Sequence, residues 1–238
     1  MQISDRIIVA LDVENGDKAL GLVSRLVGTV GLFKIGPGLF LREGPGILSR
    51  VSDLGGIVFL DLKFHDIPTT VARAVKAVVP YGIRILTLHT SGGKAMMEKA
   101  SETAGEFPYS QRPLLLGVTV LTSLETHDLR RIWGFEGSLQ DQAVHLALMA
   151  KNSGLDGVIA SPLEISAIRE ACGEKFLIIT PGIRPPNSPP DDQRRTLTAR
   201  EAIEKGADYV VVGRPIIEAG DPVRAVRQLI EEPAFHGD

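Results

Sequence analysis

The stretch Ile57-Val-Phe-Leu-Asp-Leu-Lys63-Phe-His-Asp66-Ile-Pro68-Thr-Thr70-Val-Ala-Arg-Ala-Val-Lys-Ala-Val-Val79 decides the fold. Its opening, Ile57–Leu62, is a short and nearly continuous apolar run. That pattern suits a parallel strand covered on both faces, because neither side may carry solvated groups. Pro68 stands at the start of the next segment, where a missing N–H does no harm to a helix. Residues 69–79 then read as helical. Strand, short connection and helix make one β/α unit.

The same unit recurs on both sides of this stretch. Strand-like runs lie at Ile7–Leu11, Leu32–Ile35, Ile57–Leu62, Ile85–His89, Leu114–Leu121, Gly157–Ala160, Phe176–Thr180 and Tyr209–Gly213. Between Ile7–Leu11 and Leu32–Ile35, residues 17–26 place Leu20, Val23 and Leu26, with Val27 beyond, along a helical stripe. Ser161-Pro-Leu-Glu164 and Thr198-Ala-Arg-Glu201 have the capping-box pattern that opens a helix. Asp221-Pro222 opens a last one over residues 223–230, and Gly154 and Gly206 stand where helices can end before the next strand. Alternating strands and helices predict βαβ units and a parallel sheet. Eight repeats within 238 residues favour a closed (β/α)8 TIM barrel, a single domain over 1–238, with an open doubly wound sheet as the alternative. One loop interrupts the rhythm. Residues 184–195, Arg-Pro-Pro-Asn-Ser-Pro-Pro-Asp-Asp-Gln-Arg-Arg, hold four prolines and read as a lid or binding loop, or as a plain surface excursion.

Composition narrows the function classes. The formal net charge is −3 and the hydrophobic fraction 44%, so no basic surface points to nucleic acid or a membrane. No apolar run reaches the roughly 20 residues of a membrane span. The N-terminal residues lead straight into a strand, with no signal-peptide core. Cys172 is the lone cysteine, which precludes an intramolecular disulfide and fits a reducing compartment. These features lead us to expect a complete cytoplasmic protein. No GxGxxG, Walker A, HExxH or CxxC pattern occurs, and neither a nucleotide cofactor nor a metal is expected.

In such a barrel, function sits at the carboxyl ends of the strands. Asp61 and Lys63 are two apart on one strand, so they share a face, about 6–7 Å apart at Cα. Leu60 and Leu62 point to the helices. Asp12 and Lys34, at the ends of the first two strands, can join them in an alternating Asp/Lys array. Any one of these charges is ordinarily a cap, a turn residue or a solvated side chain. Together they suggest catalysis over structure, since withdrawing paired charges from water seldom adds stability. A second constellation is Gly182, Arg184, Gly213 and Arg214. Loops after strands seven and eight commonly bind phosphate in this fold, glycine permitting close approach and arginine supplying a donor fork. His65 reads as solvent-facing, His89 as packed and hydrogen-bonded, and Cys172 as a buried hydrophobe.

Asp61-Leu-Lys63-Phe-His-Asp66-Ile-Pro-Thr-Thr70 resembles the D-x-K-x-x-D-I-P-x-T signature of the orotidine 5′-phosphate decarboxylase family. Val9-Ala-Leu-Asp12, Phe33-Lys34-Ile-Gly, Val118-Thr-Val-Leu-Thr122-Ser, Thr180-Pro-Gly-Ile-Arg184-Pro, Asp192-Gln193-Arg-Arg and Val212-Gly-Arg214-Pro-Ile look like its other segments, so the likeness covers essentially the whole chain. The resemblance implies a cofactor-free conversion of orotidine 5′-monophosphate to UMP and CO2 in pyrimidine biosynthesis, by a homodimer with shared active sites. It implies that Lys63 donates the proton and that Asp61 stands beside the departing carboxylate. Asp66 and Thr70 would reach into the partner's site. Asp12 and Lys34 would hold ribose hydroxyls and complete the charge array, and Thr122 would contact the pyrimidine. Gln193, Arg184, Gly213 and Arg214 would hold the phosphate beneath a Pro-rich lid. The shorter D-x-K-x-x-D core also occurs in related sugar-phosphate decarboxylases and hexulose phosphate synthases. Such a barrel, often metal-dependent, is one alternative; a nucleotide-binding barrel without catalysis is another.

Overall fold

The computed structural model describes residues 2–184 and 197–231. Eight strands occur: β1 (Ile7–Ala10), β2 (Leu32–Ile35), β3 (Val58–Phe64), β4 (Ile85–His89), β5 (Leu114–Val118), β6 (Gly157–Ile159), β7 (Leu177–Thr180) and β8 (Tyr209–Val212). Each pairs in parallel with the next in sequence, and β8 pairs with β1, closing the barrel. The open-sheet alternative is thereby excluded.

Two apolar layers explain why the strands read as continuous runs. Ile8, Leu32, Phe59, Ile85, Leu116 and Ile179 face inward and plug the barrel. Their neighbours Ile7, Val9, Phe33, Leu60, Leu86 and Ile178 face outward into the layer shared with the helices. A strand buried on both faces has no position left for polar alternation.

Local signals set the helices much as expected. The helix Gly16–Leu26 begins where the Asn15 side chain accepts the Lys18 N–H at 2.9 Å. Pro68 opens Pro68–Val78. Thr198 and Glu201 close a reciprocal capping box ahead of Ala199–Glu204. The Ser161–Glu164 box opens a 3-10 turn, Pro162–Glu164, which continues into the helix Ile165–Cys172. Asp221 caps Pro222–Glu231 by accepting from the Val223 and Arg224 N–H groups. Gly154 and Gly206 follow their helices with φ of 81° and 107°, a backbone region costly for any residue with a Cβ.

Two strands differ from expectation. β5 stops at Val118, not Leu121, because the apolar residues Val120 and Leu121 wall a cavity beyond the sheet instead of extending it. β3 runs two residues past Leu62, to Phe64, but its register with β4 breaks. Leu60 pairs with Leu86 and Phe64 with Leu88, so four steps on β3 span two on β4. This bulge lies at Asp61–Lys63.

At the opposite end of the barrel, Asp156 and Asp208 precede β6 and β8. They accept the N–H groups of Leu115 and Ile178, each at 2.8 Å, and pair with Arg112 and Arg169. These side chains tie the strand starts together, far from the carboxyl ends.

Candidate active site

The bulge in β3 shapes the site. Lys63 has φ of 50° and is the only non-glycine with positive φ among the described residues. Holding a lysine there costs on the order of 1 kcal/mol, and such strain persists only where the surroundings enforce it. Thr87, fully buried on β4, supplies part of that enforcement. Its Oγ1 accepts the Lys63 N–H at 3.0 Å and donates to Asp61 Oδ1 at 2.9 Å. Sequence reasoning missed Thr87, since a β-branched residue inside an apolar run looks like an ordinary strand former.

The four expected charges meet as an alternating chain. Lys34 Nζ lies 3.2 Å from Asp12 Oδ1 and 3.6 Å from Asp61 Oδ2. Asp61 Oδ2 in turn accepts from Lys63 Nζ at 2.8 Å. Asp61 is only 7% exposed, whereas Asp12 lies open at the rim. Burial pushes the Asp61 carboxyl up. The Lys34 and Lys63 ammoniums, with hydrogen bonds from Lys63 and Thr87, outweigh burial and hold it below the usual carboxylate range. The centre of the array is therefore a carboxylate clamped between two cations. Nearby, His89 packs against His65 with ring centroids 5.4 Å apart. Burial, then His65 and Lys63, push His89 down, which favours a neutral imidazole.

These charges line a cavity of about 510 Å³ at the carboxyl end of the barrel. Thr122, in the turn after β5, joins its wall, as do Arg184 after β7 and Gly213 and Arg214 after β8. Apolar side chains, among them Val118, Ile159 and Val211, complete it. A pocket with a charged side, an apolar wall and arginines can hold an anionic, partly planar ligand. Gly182 lies between the lining residues Pro181 and Ile183, with φ of 79°. Gly213 begins the short helix Arg214–Ile217, its carbonyl accepting from Ile216 and Ile217.

Not every expected residue converges there. Asp66 and Thr70 are exposed and lie outside the cavity of their own chain. Asp66 accepts the Ile67 N–H at 2.6 Å, and beside it Ile67 is 64% exposed. Gln193 and most of the Pro-rich loop fall outside the described residues. Among the described residues no group of three His, Cys, Asp or Glu side chains has the arrangement of a metal site. None of the described helices is long and apolar enough to cross a membrane.

Residues 5–229 match the family model described as orotidine 5′-phosphate decarboxylase / HUMPS family. The chain is 48% identical over 232 residues to the orotidine 5′-phosphate decarboxylase of Trichlorobacter lovleyi, covering 97% of this chain and 96% of that protein. It is also 48% identical to the enzyme of that name from Moorella thermoacetica, with coverage of 98% and 93%. Among solved structures, the orotidine 5′-phosphate decarboxylase of Lactobacillus acidophilus superposes with a TM-score of 0.81 at 38% identity, covering 94% of this chain and 96% of that one.

Proposed function

Because the chain belongs to the orotidine 5′-phosphate decarboxylase / HUMPS family, we propose that it is a carboxy-lyase converting orotidine 5′-monophosphate to UMP and CO2, without a cofactor. The observation that carries this reading is the chain Asp12–Lys34–Asp61–Lys63 on one side of a cavity that also holds Arg184 and Arg214. The direct test follows the orotate chromophore spectrophotometrically. Substrate should disappear at an enzyme-dependent rate that EDTA leaves unchanged. No loss of absorbance refutes the reading, and loss abolished by EDTA favours a metal-dependent sugar-phosphate relative.

The chemistry suits this charge pattern. When the bond from C6 to the carboxylate breaks, CO2 leaves and the electron pair stays on C6, in the ring plane and poorly delocalised. Fixed positive charge is then the main source of stabilisation. The Lys63 ammonium supplies it and afterwards delivers its proton to C6. Lys63 is aimed by its salt link to Asp61 and by the bulged backbone beneath it. Asp61, held ionised, faces the substrate carboxylate and adds a repulsion that departure of CO2 relieves. Lys34 balances the charge of Asp61, and Asp12 and Lys34 offer an acceptor and a donor to ribose hydroxyls. Thr122 offers its hydroxyl to the pyrimidine.

Gly213, Arg214, Arg184 and Gln193 are proposed to hold the 5′-phosphate, with the Pro-rich segment closing over it. Phosphate binding far from C6 can then be expressed as rate by closing the site. Arg214→Ala should lower kcat/KM by on the order of 10–100-fold, the worth of a charge-assisted hydrogen bond. The same variant should lose far less against a substrate lacking phosphate. Steady-state kinetics on both substrates check this, and an unchanged kcat/KM removes Arg214 from the phosphate site.

We also propose a cytoplasmic homodimer with shared sites and no role for nucleic acid. The exposed run Asp66–Ile67, with Thr70 on the first turn of Pro68–Val78, supports the shared-site dimer. It presents two polar groups and an apolar side chain that their own cavity does not use.

A further inference from the structure

We propose that Thr87 is a positioning residue for this reaction: its one hydroxyl ties the Asp61 carboxylate to the Lys63 backbone and so sets the acid–amine pair as a unit. The proposal rests on the functional reading above for the reaction concerned, and on geometry for the link itself.

Thr87 lies on the inward side of β4, two residues after Ile85 of the apolar plug and two before His89. It is fully buried and does not line the cavity, so it has no direct part in binding a ligand. It stands opposite the β3 bulge, between the paired positions Leu86 and Leu88. In this gap of the ladder its Oγ1 takes the Lys63 N–H, while its O–H is given to Asp61 Oδ1. Asp61 Oδ2 then receives Lys63 Nζ. The result is a closed loop: Lys63 backbone, Thr87 hydroxyl, Asp61 carboxylate, Lys63 ammonium. A carboxylate with one oxygen pinned by Thr87 presents the other at a fixed angle. A lysine whose N–H is pinned keeps the left-handed backbone that sends its side chain toward that oxygen. Among the described residues, Thr87 supplies the hydroxyl that bonds Asp61, beside the two lysine ammoniums.

Valine at this position keeps the branched shape and strand preference but loses both hydrogen bonds. A reacting group displaced by about 1 Å can lose about 10²-fold in rate. The phosphate and ribose contacts lie on other residues, so binding should be spared. The titration of Asp61 gives a readout independent of turnover. The charged and titratable groups facing it are Lys34 from β2 with Asp12 beyond, Lys63 on β3, and His89 on β4. None of these residues is itself replaced by the substitution.

With wild-type enzyme assayed alongside, Thr87→Val should lower kcat about 10²-fold with KM nearly unchanged, and Thr87→Ser should restore most of the loss. Carbon-13 carboxyl NMR should find Asp61 taking up its proton at higher pH in Thr87→Val than in wild type or Thr87→Ser. Thr87→Ala carries the same expectation should Thr87→Val fail to fold. A folded hydroxyl-free variant with wild-type kcat overturns the proposal, as does a loss that serine fails to restore or an unmoved Asp61 titration. Wild-type protein inert toward orotidine 5′-monophosphate refutes the functional reading instead, and the NMR comparison still decides whether Thr87 holds Asp61.

Discussion

Lys63→Ala should lower kcat by on the order of 10⁴-fold or more, because one side chain supplies two effects. In the proposed mechanism it is both the cation that faces the developing negative charge and the proton source that captures it. The fold should survive. Asp61 keeps Lys34 at 3.6 Å and the Thr87 hydroxyl at 2.9 Å, so its buried charge is not abandoned. Circular dichroism and a thermal melt close to wild type, with single-turnover assays showing no product, would be the expected pair of results. Residual activity within about tenfold of wild type, less than general acid catalysis alone is worth, would remove Lys63 as proton donor. UMP should still bind, since its phosphate and ribose contacts are assigned elsewhere.

A mixture of two inactive variants should recover activity. If Asp66 of each chain completes its neighbour's site, a dimer of one Lys63→Ala chain and one Asp66→Ala chain has one site with both defects and one with neither. Random exchange makes half the dimers mixed, so about a quarter of the wild-type sites return. The geometry motivates the test. Asp66 and Thr70 lie outside their own cavity although they share a motif with Asp61 and Lys63. Subunit exchange is followed with two differently tagged chains, and activity should rise with the mixed species. Proven exchange without recovery would place Asp66 on its own chain's site or on none.

Much of the fold was legible because burial on both strand faces leaves a simple mark. The two-sided apolar layer at Ile7–Ala10 or Leu32–Ile35 cannot be mistaken for an exposed edge. The pairing of Asp61 with Lys63 followed from the two-residue period of a strand, and the Lys34 and Asp12 contacts from adjacent strand ends. The same period concealed what actually happens at Lys63. A bulge is expected where glycine or asparagine permits positive φ, and lysine carries no such mark. Part of what holds it comes from Thr87, twenty-four residues away in sequence and invisible to local patterns. The end of β5 is hidden from sequence for a related reason: Val120 and Leu121 line the cavity wall, and composition alone does not separate wall from strand.

The apolar plug of Ile8, Leu32, Phe59, Ile85, Leu116 and Ile179 has a consequence for traffic. It stops the barrel from being a tunnel. Among the described residues the cavity above it is closed at its floor, so in the proposed reaction substrate, CO2 and nucleotide product would all pass through its open end. A product still seated by its phosphate obstructs the next arrival at the same threshold. Turnover in such a chamber would depend on clearing the entrance as well as on breaking a bond, and the residues proposed to grip the phosphate would govern both.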